Sequence, residues 1–161
     1  MSLNFREGFV VGGVVALALG IYLARLWQPE RQVRLHAMHL MANIQNKNWT
    51  KLPDFIGADF QDDWGDDRDR LLARVREVFS YTHGTKMTAL VPQIRARDRE
   101  GFWTAIVKVD GEESEVMALI KERINSLGAP FELRWRRESD KPWDWKLISA
   151  SNLDLKINDR Y

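Results

Sequence analysis

The stretch FELRWRRESDKPWDWKLISASN, residues 131–152, alternates apolar and polar side chains in two runs separated by a polar turn. Alternation with a period of two is typical of β-strands that bury one face. The turn, residues 139–142, contains Ser, Asp and Pro, which favour chain reversal. We therefore predict an antiparallel hairpin of strands 131–138 and 143–152. The predicted inward residues are Phe131, Leu133 and Trp135 on the first strand and Trp143, Trp145, Leu147, Ser149 and Ser151 on the second.

Two more strands are predicted before this hairpin, at residues 86–98 and 102–109, with a turn at 99–101. Pro92 lies inside the first run, which favours an edge position or a bulge because proline has no amide hydrogen to donate. Between the two hairpins, residues 114–127 have apolar side chains at helical spacing, and we predict a helix there. The predicted inward residues are Ile94 and Ala96 on the first strand and Trp103, Ala105, Val107 and Val109 on the second.

Helical patterns precede the strands. Residues 29–45 place apolar side chains on one face, after a proline suited to a first helical turn. A short apolar element follows, and residues 68–81 have the spacing of a further helix. The acidic segment DDWGDDRD, residues 62–69, leads into that helix, and Asp66 or Asp67 is its predicted N-cap. The resulting class is α+β, with helices first and antiparallel strands after them.

An uncharged run, FVVGGVVALALGIYLA, covers residues 9–24. A helix needs about 20 apolar residues to cross a membrane. Arg25 interrupts the run, but its long side chain reaches the headgroups, and Trp27 suits the interface. We predict a tail at 1–8 and a transmembrane anchor at 9–27, with a cleaved signal peptide as the alternative.

Small residues recur every four positions along this anchor and form one smooth helical face. Such faces let two membrane helices approach closely, although Gly and Ala are also simply common in membrane spans. The stripe is Gly8, Gly12, Ala16, Gly20 and Ala24, and the predicted contact sites are Gly12, Ala16 and Gly20. Basic residues after the anchor favour a cytoplasmic domain, whereas the signal-like N-terminal position favours export. We expect a single-pass protein of the inner or plasma membrane with its domain outside the cytoplasm.

The rest of the chain, residues 28–161, forms the predicted domain and is electrically neutral. The chain has 24 Lys and Arg and 23 Asp and Glu residues, and setting aside Arg6, Glu7 and Arg25 leaves equal numbers of each sign. A neutral domain argues against a nucleic-acid partner, because phosphate binding needs surplus positive charge. The chain has no cysteine, which excludes disulfides, thiolate catalysis and cysteine-bound metals.

The order of helix, short helix, helix and twisted antiparallel sheet resembles the nuclear-transport-factor-2-like superfamily, the cone-shaped fold shared with ketosteroid isomerases, scytalone dehydratases and polyketide-cyclase-like proteins. The stretches that carry the resemblance are Asn48-Trp49, Asp59-Phe60, RDRLLARVREVFSY at 68–81 and the closing hairpin. The resemblance spans about residues 30–153, and the helical segment at 114–127 departs from the simplest pattern. It implies a cone-shaped domain of three helices packed on a curved antiparallel sheet, a layout that membrane-anchored members in secretion machinery share.

Enzymes of this superfamily place acids, His or Tyr on the inner surface of the cone. An isomerase-like mechanism needs a carboxylate base and an oxyanion donor in one dry pocket. No Asp, Glu or His falls in a predicted inward phase, so no catalytic residue is predicted. The lining is that of a hydrophobic core or of an apolar ligand pocket. The candidate pocket residues are Trp49, Tyr81, Trp103, Trp135 and Trp145.

No metal or cofactor is predicted. His36 and His39 are three residues apart but point to different sides of their helix, so structural roles are favoured. His83 near a helix end is the expected cap or surface residue. The acidic segment 62–69 lacks the residue order of a calcium loop.

The outer face of the predicted sheet combines basic and apolar side chains. A solvated face explains the charges, and an acidic protein or anionic headgroups are the alternatives. Mixed faces of this kind also serve as dimer contacts. The interface candidates on this face are Phe102, Ile106, Arg134 and Arg136.

Two functions remain open. The first, which we favour from the sequence, is a non-catalytic, membrane-tethered scaffold that assembles as a homodimer or within a membrane complex. The second is a binder of small apolar ligands, or an isomerase-like or dehydratase-like enzyme, and it requires a cavity of about 300 Å³ or more. Whether the cone is hollow separates the two.

Overall fold

The structure is a computed structural model that describes the backbone of residues 5–156 and the side chains of residues 11–156. Residues 1–4 of the predicted tail and residues 157–161 of the predicted domain lie outside the described residues. The elements are α1 Phe5–Leu26, α2 Pro29–Gln45, a one-turn 3-10 helix Leu52–Phe55, α3 Arg68–Ser80, β1 Lys86–Arg97, β2 Glu100–Asp110, α4 Glu115–Asn125, β3 Phe131–Arg137 and β4 Trp145–Ser151.

The four strands form one antiparallel sheet in the order β1-β2-β3-β4, so both predicted hairpins are confirmed. The β1–β2 turn is tighter than predicted: Arg97 pairs with Glu100, which leaves Asp98 and Arg99 to reverse the chain, with φ of 55° at Asp98. The register of β1 shifts between Leu90 and Gln93, around Pro92. The predicted irregularity at this proline is therefore a β-bulge on an edge strand.

A second irregularity lies in β4 and overturns part of the predicted inward phase. Arg134 pairs with Ser149, whereas the next residue, Trp135, pairs with Leu147, so β4 carries an extra residue between these two pairs. An extra residue moves all later side chains to the opposite face. Ala150 is buried as a result, and the predicted inward positions of Ser149 and Ser151 are wrong. Trp143 was also predicted to face inward, but it precedes β4 and is exposed.

The main core forms where α2 packs on the sheet. The alternation of β2 is confirmed, because Trp103, Ala105, Val107 and Val109 are all buried. Apolar burial of this kind contributes roughly 25 cal/mol per Å² and is the dominant favourable term in folding. The other buried members of the core are Val33, Ala37 and Leu40 of α2, Leu52, Ile56 and Phe60 of the connector, and Trp135, Trp145, Leu147 and Ala150 of the closing hairpin.

The connector between α2 and α3 covers the free edge of β4. Ile56 bridges Leu147 in parallel, and the amides of Gly57, Gln61 and Asp63 donate to carbonyls of β4 over distances of 2.9, 3.1 and 3.3 Å. Covering an edge in this way satisfies backbone groups that would otherwise invite pairing with another chain. The connector also brings the start of α3 to the end of the sheet.

The predicted helix at 114–127 is present as α4, with Ser114 as its N-cap accepting a hydrogen bond from the Met117 amide at 3.1 Å. It packs on β2, where Met117 and Ile120 form a second small core with Val109. The Asn125 amide group bonds both backbone atoms of Val109, at 2.8 and 2.9 Å. The domain after α1 therefore has three α-helices, α2, α3 and α4, together with the one-turn 3-10 helix, and α1 is the fourth α-helix of the described chain.

The N-terminal helix α1 projects from this domain and turns by 67° into α2. Among the residues whose side chains are described, no helix taken singly combines the length and the apolar composition needed to cross a membrane. The part of α1 from Val11 and the whole of α2 meet that requirement only as a bent pair.

Candidate functional site

The domain contains a half-open cavity. This cavity of about 310 Å³ lies between the end of α2, the inner face of the sheet and α3. Aliphatic and aromatic side chains from several elements that are distant in sequence line this cavity. Representative wall residues are Leu40, Met41 and Ile44 from α2, Met87, Trp103, Val107, Leu133 and Leu147 from the sheet, and Ile124 from α4.

Helix α3 is the roof of this cavity. Its apolar stripe consists of Leu71, Leu72, Val75, Val78 and Phe79, and all five side chains line the cavity. The structure describes α3 completely, and no residue of this helix is fully buried. Leu71, Leu72 and Val75 pack partly against the main core, and the stripe as a whole borders the cavity, where an occupant would add further contacts.

Polar contacts at its two ends hold the roof in place. Asp67 is the N-cap and accepts from the Arg70 amide at 2.9 Å, which settles the choice between Asp66 and Asp67. The Arg68 guanidinium donates to the carbonyls of Pro53 and Ile56 at 3.0 and 3.2 Å. At the other end, Lys47 Nζ donates to the carbonyl of Ser80 at 3.0 Å, where a cation also suits the helix dipole.

Two charged residues belong to the cavity wall among the described residues, and they pair with each other. Arg74 Nη1 lies 3.0 Å from Asp66 Oδ2, and the Asp66 side chain is only 3% exposed. Asp62 lies beside them and accepts hydrogen bonds from the amides of Trp64 and Asp66 at 3.0 and 2.8 Å. Burial raises the pKa of the Asp62 carboxyl above its ordinary value, and the neighbouring Asp66 charge acts in the same direction.

Strand alternation does not indicate this ion pair, because Asp66 comes from a loop and Arg74 from a helix. The sequence did contain a usable signal. Arg74 is spaced three residues after Leu71 and four before Val78, so it lies within the apolar stripe of α3. A basic residue on a core-facing stripe needs a nearby acid, and the acidic segment preceding the helix was the available source.

The structure separates the five predicted pocket residues. Trp103 lines the cavity, whereas Trp135 and Trp145 are fully buried in the core and do not line it. Trp49 is partly buried against the core, outside the cavity wall. Tyr81, which follows the end of α3, is 69% exposed and does not line the cavity.

The histidine nearest the core has a structural environment. His36 Nδ1 lies 2.8 Å from the Gln32 carbonyl, so this nitrogen carries the hydrogen that it donates. Its ring meets the rings of Phe55 and Trp135 edge-on, at 6.2 and 5.9 Å between centroids. Burial lowers the pKa of His36, and the nearby charges of His39 and Lys146 act in the same direction.

The interface candidates on the sheet lie on its outer face, as their phase indicates. Arg134 bonds Glu100 at 2.8 Å and lies over the Phe102 ring at 5.9 Å. Arg136 bonds both oxygens of Asp59 at 2.8 Å, and this contact lowers the pKa of the Asp59 carboxyl. Both guanidinium groups are thus neutralised within the chain, while the face retains the partly exposed side chains Phe102 and Ile106.

The anchor candidates Gly12, Ala16 and Gly20 lie on the exposed surface of α1. A Cβ added to Gly12 or Gly20 would meet no described atom within 4 Å apart from its chain neighbours and the backbone of its own helix. Gly8 of the same stripe lies outside the described side chains.

No protein-family model matches the sequence, and no curated protein matches it either. Similar solved structures include the Bdellovibrio bacteriovorus protein Bd1075, which is 11% identical with a TM-score of 0.58 over 76% of this chain. This chain spans only 39% of that protein. A protein of unknown function from Pseudomonas putida, described as nuclear-transport-factor-2-like, is 11% identical with a TM-score of 0.57, and the match covers 80% of this chain and 96% of the other.

A candidate ketosteroid isomerase from Shewanella frigidimarina is 15% identical with a TM-score of 0.54, over 76% of this chain and 93% of its own. At these identities the likeness bears on the fold alone. It confirms, at that level, the resemblance drawn from the order of the elements. The domain that follows α1 therefore has the nuclear-transport-factor-2-like, or cystatin-like, α+β fold.

Proposed function

We propose that this protein is a membrane-tethered binder of a small, wholly apolar molecule, held in the cavity beneath α3. The observation that carries the proposal is the 310 Å³ cavity with its almost entirely apolar wall. An apolar cavity of about 150 Å³ stays dry and holds one benzene molecule. By that scale this cavity suits a molecule roughly twice as large, such as a fused two-ring hydrocarbon.

The incomplete burial of α3 supports the same function. Its five apolar side chains border the cavity and none is fully buried, so part of their hydrophobic surface stays uncovered on folding. A ligand in the cavity would complete this packing and would stabilise the folded state by mass action. A concave, mostly apolar pocket is also the usual form of a small-molecule site.

Binding is favoured over catalysis by the chemistry of the wall. Acid–base catalysis needs a group that is held ready to exchange a proton with the substrate. The two charged wall residues, Asp66 and Arg74, are instead committed to a mutual ion pair. Nuclear-transport-factor-2-like neighbours include a candidate isomerase, and an isomerase-like or dehydratase-like activity would have to use this pair.

The tether is supported by the surface of α1. Its apolar side chains are exposed around the helix, including Val14, Leu17 at 67% and Ile21. Contiguous exposed apolar surface of this extent marks a membrane or protein contact. A lipid bilayer would cover it, and it would also place the cavity beside a reservoir of apolar molecules.

The test compares two Val→Trp variants of the full chain in the same detergent, with naphthalene as the probe. Val75 lines the cavity, whereas Val116 is exposed on α4 and serves as the matched control. We expect naphthalene to raise the Tm of the parent protein and of V116W. V75W fills the cavity and should show no shift, with circular dichroism confirming that it is folded. A parent protein whose Tm does not respond to naphthalene would contradict the proposal.

Assembly through the outer sheet face is the second candidate. Phe102 and Ile106 stay partly exposed there, and Leu90 on the neighbouring strand is exposed beside Ile106. Sedimentation of the full chain in detergent, with I106K compared against V116K on α4, tests this surface. Self-association that I106K abolishes and V116K preserves would support assembly, and a monomeric parent chain would remove it.

A further inference from the structure

The end of the domain from which α1 departs is built from three segments that contact one another. Gln32 Nε2 donates to the Leu26 carbonyl at 2.8 Å, which ties the start of α2 to the end of α1. The Arg137 amide donates to the Arg99 carbonyl at 2.8 Å, and Arg99 also pairs with Asp140. The β1–β2 turn and the loop between β3 and β4, residues 138–144, therefore contact each other, and Trp143 of this loop meets Trp27 at the α1–α2 junction.

Two tryptophans meet at this end. Trp27 follows α1, Trp143 lies in the 138–144 loop, and their ring centroids are 6.3 Å apart with a tilt of 49°. Trp27 is 41% exposed and Trp143 is 52% exposed. By contrast, Trp103, Trp135 and Trp145 are fully buried. Exposed indole rings are unfavourable in water but well placed at a membrane–water interface, where one edge is apolar and the other is wet.

We propose that the 138–144 loop is a second membrane contact, in which Trp143 and Trp27 together insert at the headgroup level of the bilayer that holds α1. The inference rests on the proposed tether and adds to it a fixed orientation of the domain. The partner is a phospholipid bilayer because the aromatic pair continues the exposed apolar surface of α1. Leu23 and Trp27 are both exposed at the end of that surface, one helical turn apart, and the Trp27 amide donates to the Leu23 carbonyl at 2.9 Å.

The bend between α1 and α2 keeps the 138–144 loop near the end of α1. Had α2 continued α1, the domain would be carried straight away from the membrane. Because the chain turns by 67° at the junction, the start of α2 and the 138–144 loop stay at the level where α1 ends. Lys141 is exposed in the same loop and has a side chain long enough to reach lipid phosphates.

Tryptophan quenching in vesicles tests the contact. The full chain is reconstituted in phosphatidylcholine vesicles with and without bromine on the acyl chains, and flotation is measured in parallel. Trp49 lies beyond the opposite end of α2 and is the matched control. We expect W143F to halve the fluorescence that brominated lipid quenches, because Trp27 alone then remains at the interface. W49F should leave the quenched amplitude unchanged.

A second measurement does not depend on replacing an aromatic residue. The chain has no cysteine, so K141C and the control K51C each accept a single environment-sensitive nitrobenzoxadiazole label. The label at residue 141 should shift to shorter emission wavelength when vesicles are added, and the label at 51 should not. Flotation with no change at either Trp143 or residue 141 would overturn the loop contact alone. Failure of the chain to float would overturn the tether as well.

Discussion

Replacing Arg74 by Met should destabilise the domain strongly, because it leaves Asp66 as an unpaired charge in the cavity wall. Asp66 is 3% exposed, and Asp62 adds a second carboxylate next to it. Removing one partner of a buried ion pair costs about 3–5 kcal/mol. The Arg74 side chain is itself 36% exposed, and solvent screening reduces the effect, so we expect about 2–3 kcal/mol. For a chain of this size that lowers the Tm by about 4–12 °C.

Thermal unfolding followed by circular dichroism measures this effect, with R76M as the control. Arg76 is exposed on the same helix, and its replacement should change the stability by less than about 0.5 kcal/mol. The D66N/R74M double variant removes both charges and should recover most of the loss. An R74M variant no less stable than R76M would refute the reasoning, because it would show that the wall pair contributes nothing to the fold.

Three further predictions concern single positions. Burial raises the pKa of the Asp62 carboxyl, so its ionised form is disfavoured in the folded state. D62N should therefore be more stable than the parent near pH 7. Urea titrations should show this difference in unfolding free energy vanish below pH 3.8, the ordinary pKa of this carboxyl. Burial lowers the pKa of His36 below 6.5, so the unfolded state takes up the proton first as the pH falls. The unfolding free energy should therefore decrease as the pH drops through 6.5 towards the folded pKa. An H36Q variant whose unfolding free energy changes with pH to the same extent would contradict this assignment. A Cβ at Gly101 would lie 2.4 Å from Val33 Cγ2, so G101A should lower the Tm more than a G57A control, whose nearest neighbour is 3.2 Å away, and equal losses would contradict this prediction.

The cavity also favours one of the two functions that the sequence leaves open, the scaffold and the binder of small apolar ligands. No acid or histidine falls in a predicted inward phase, which argues against catalysis but is equally a property of an apolar ligand site. Only the ligand-binding hypothesis requires an open cavity, and the structure contains one. The proposed scaffold role would use the outer face of the sheet, whereas the proposed ligand site lies on its inner face.

The amino-acid sequence by itself determined the elements and most of their buried faces. Alternation in β2 identified Trp103 and its inward neighbours, and the missing amide hydrogen of Pro92 located the bulge in β1. Helical spacing located α2, α3 and α4. These features follow from local geometry, because a period of two or of 3.6 residues decides which side chains share a face.

Only the tertiary structure decided what those faces meet. The extra residue in β4 reversed Ser149 and Ser151, and it depends on pairing across strands rather than on local pattern. The apolar stripe of α3 would have the same sequence spacing whether it faced a filled core or a cavity. Spacing shows that a face is apolar, but it does not show whether the space opposite that face is filled. The pairing of Asp66 with Arg74 and the exposure of Trp143 beside Trp27 likewise arise from contacts between segments, which local periodicity does not encode.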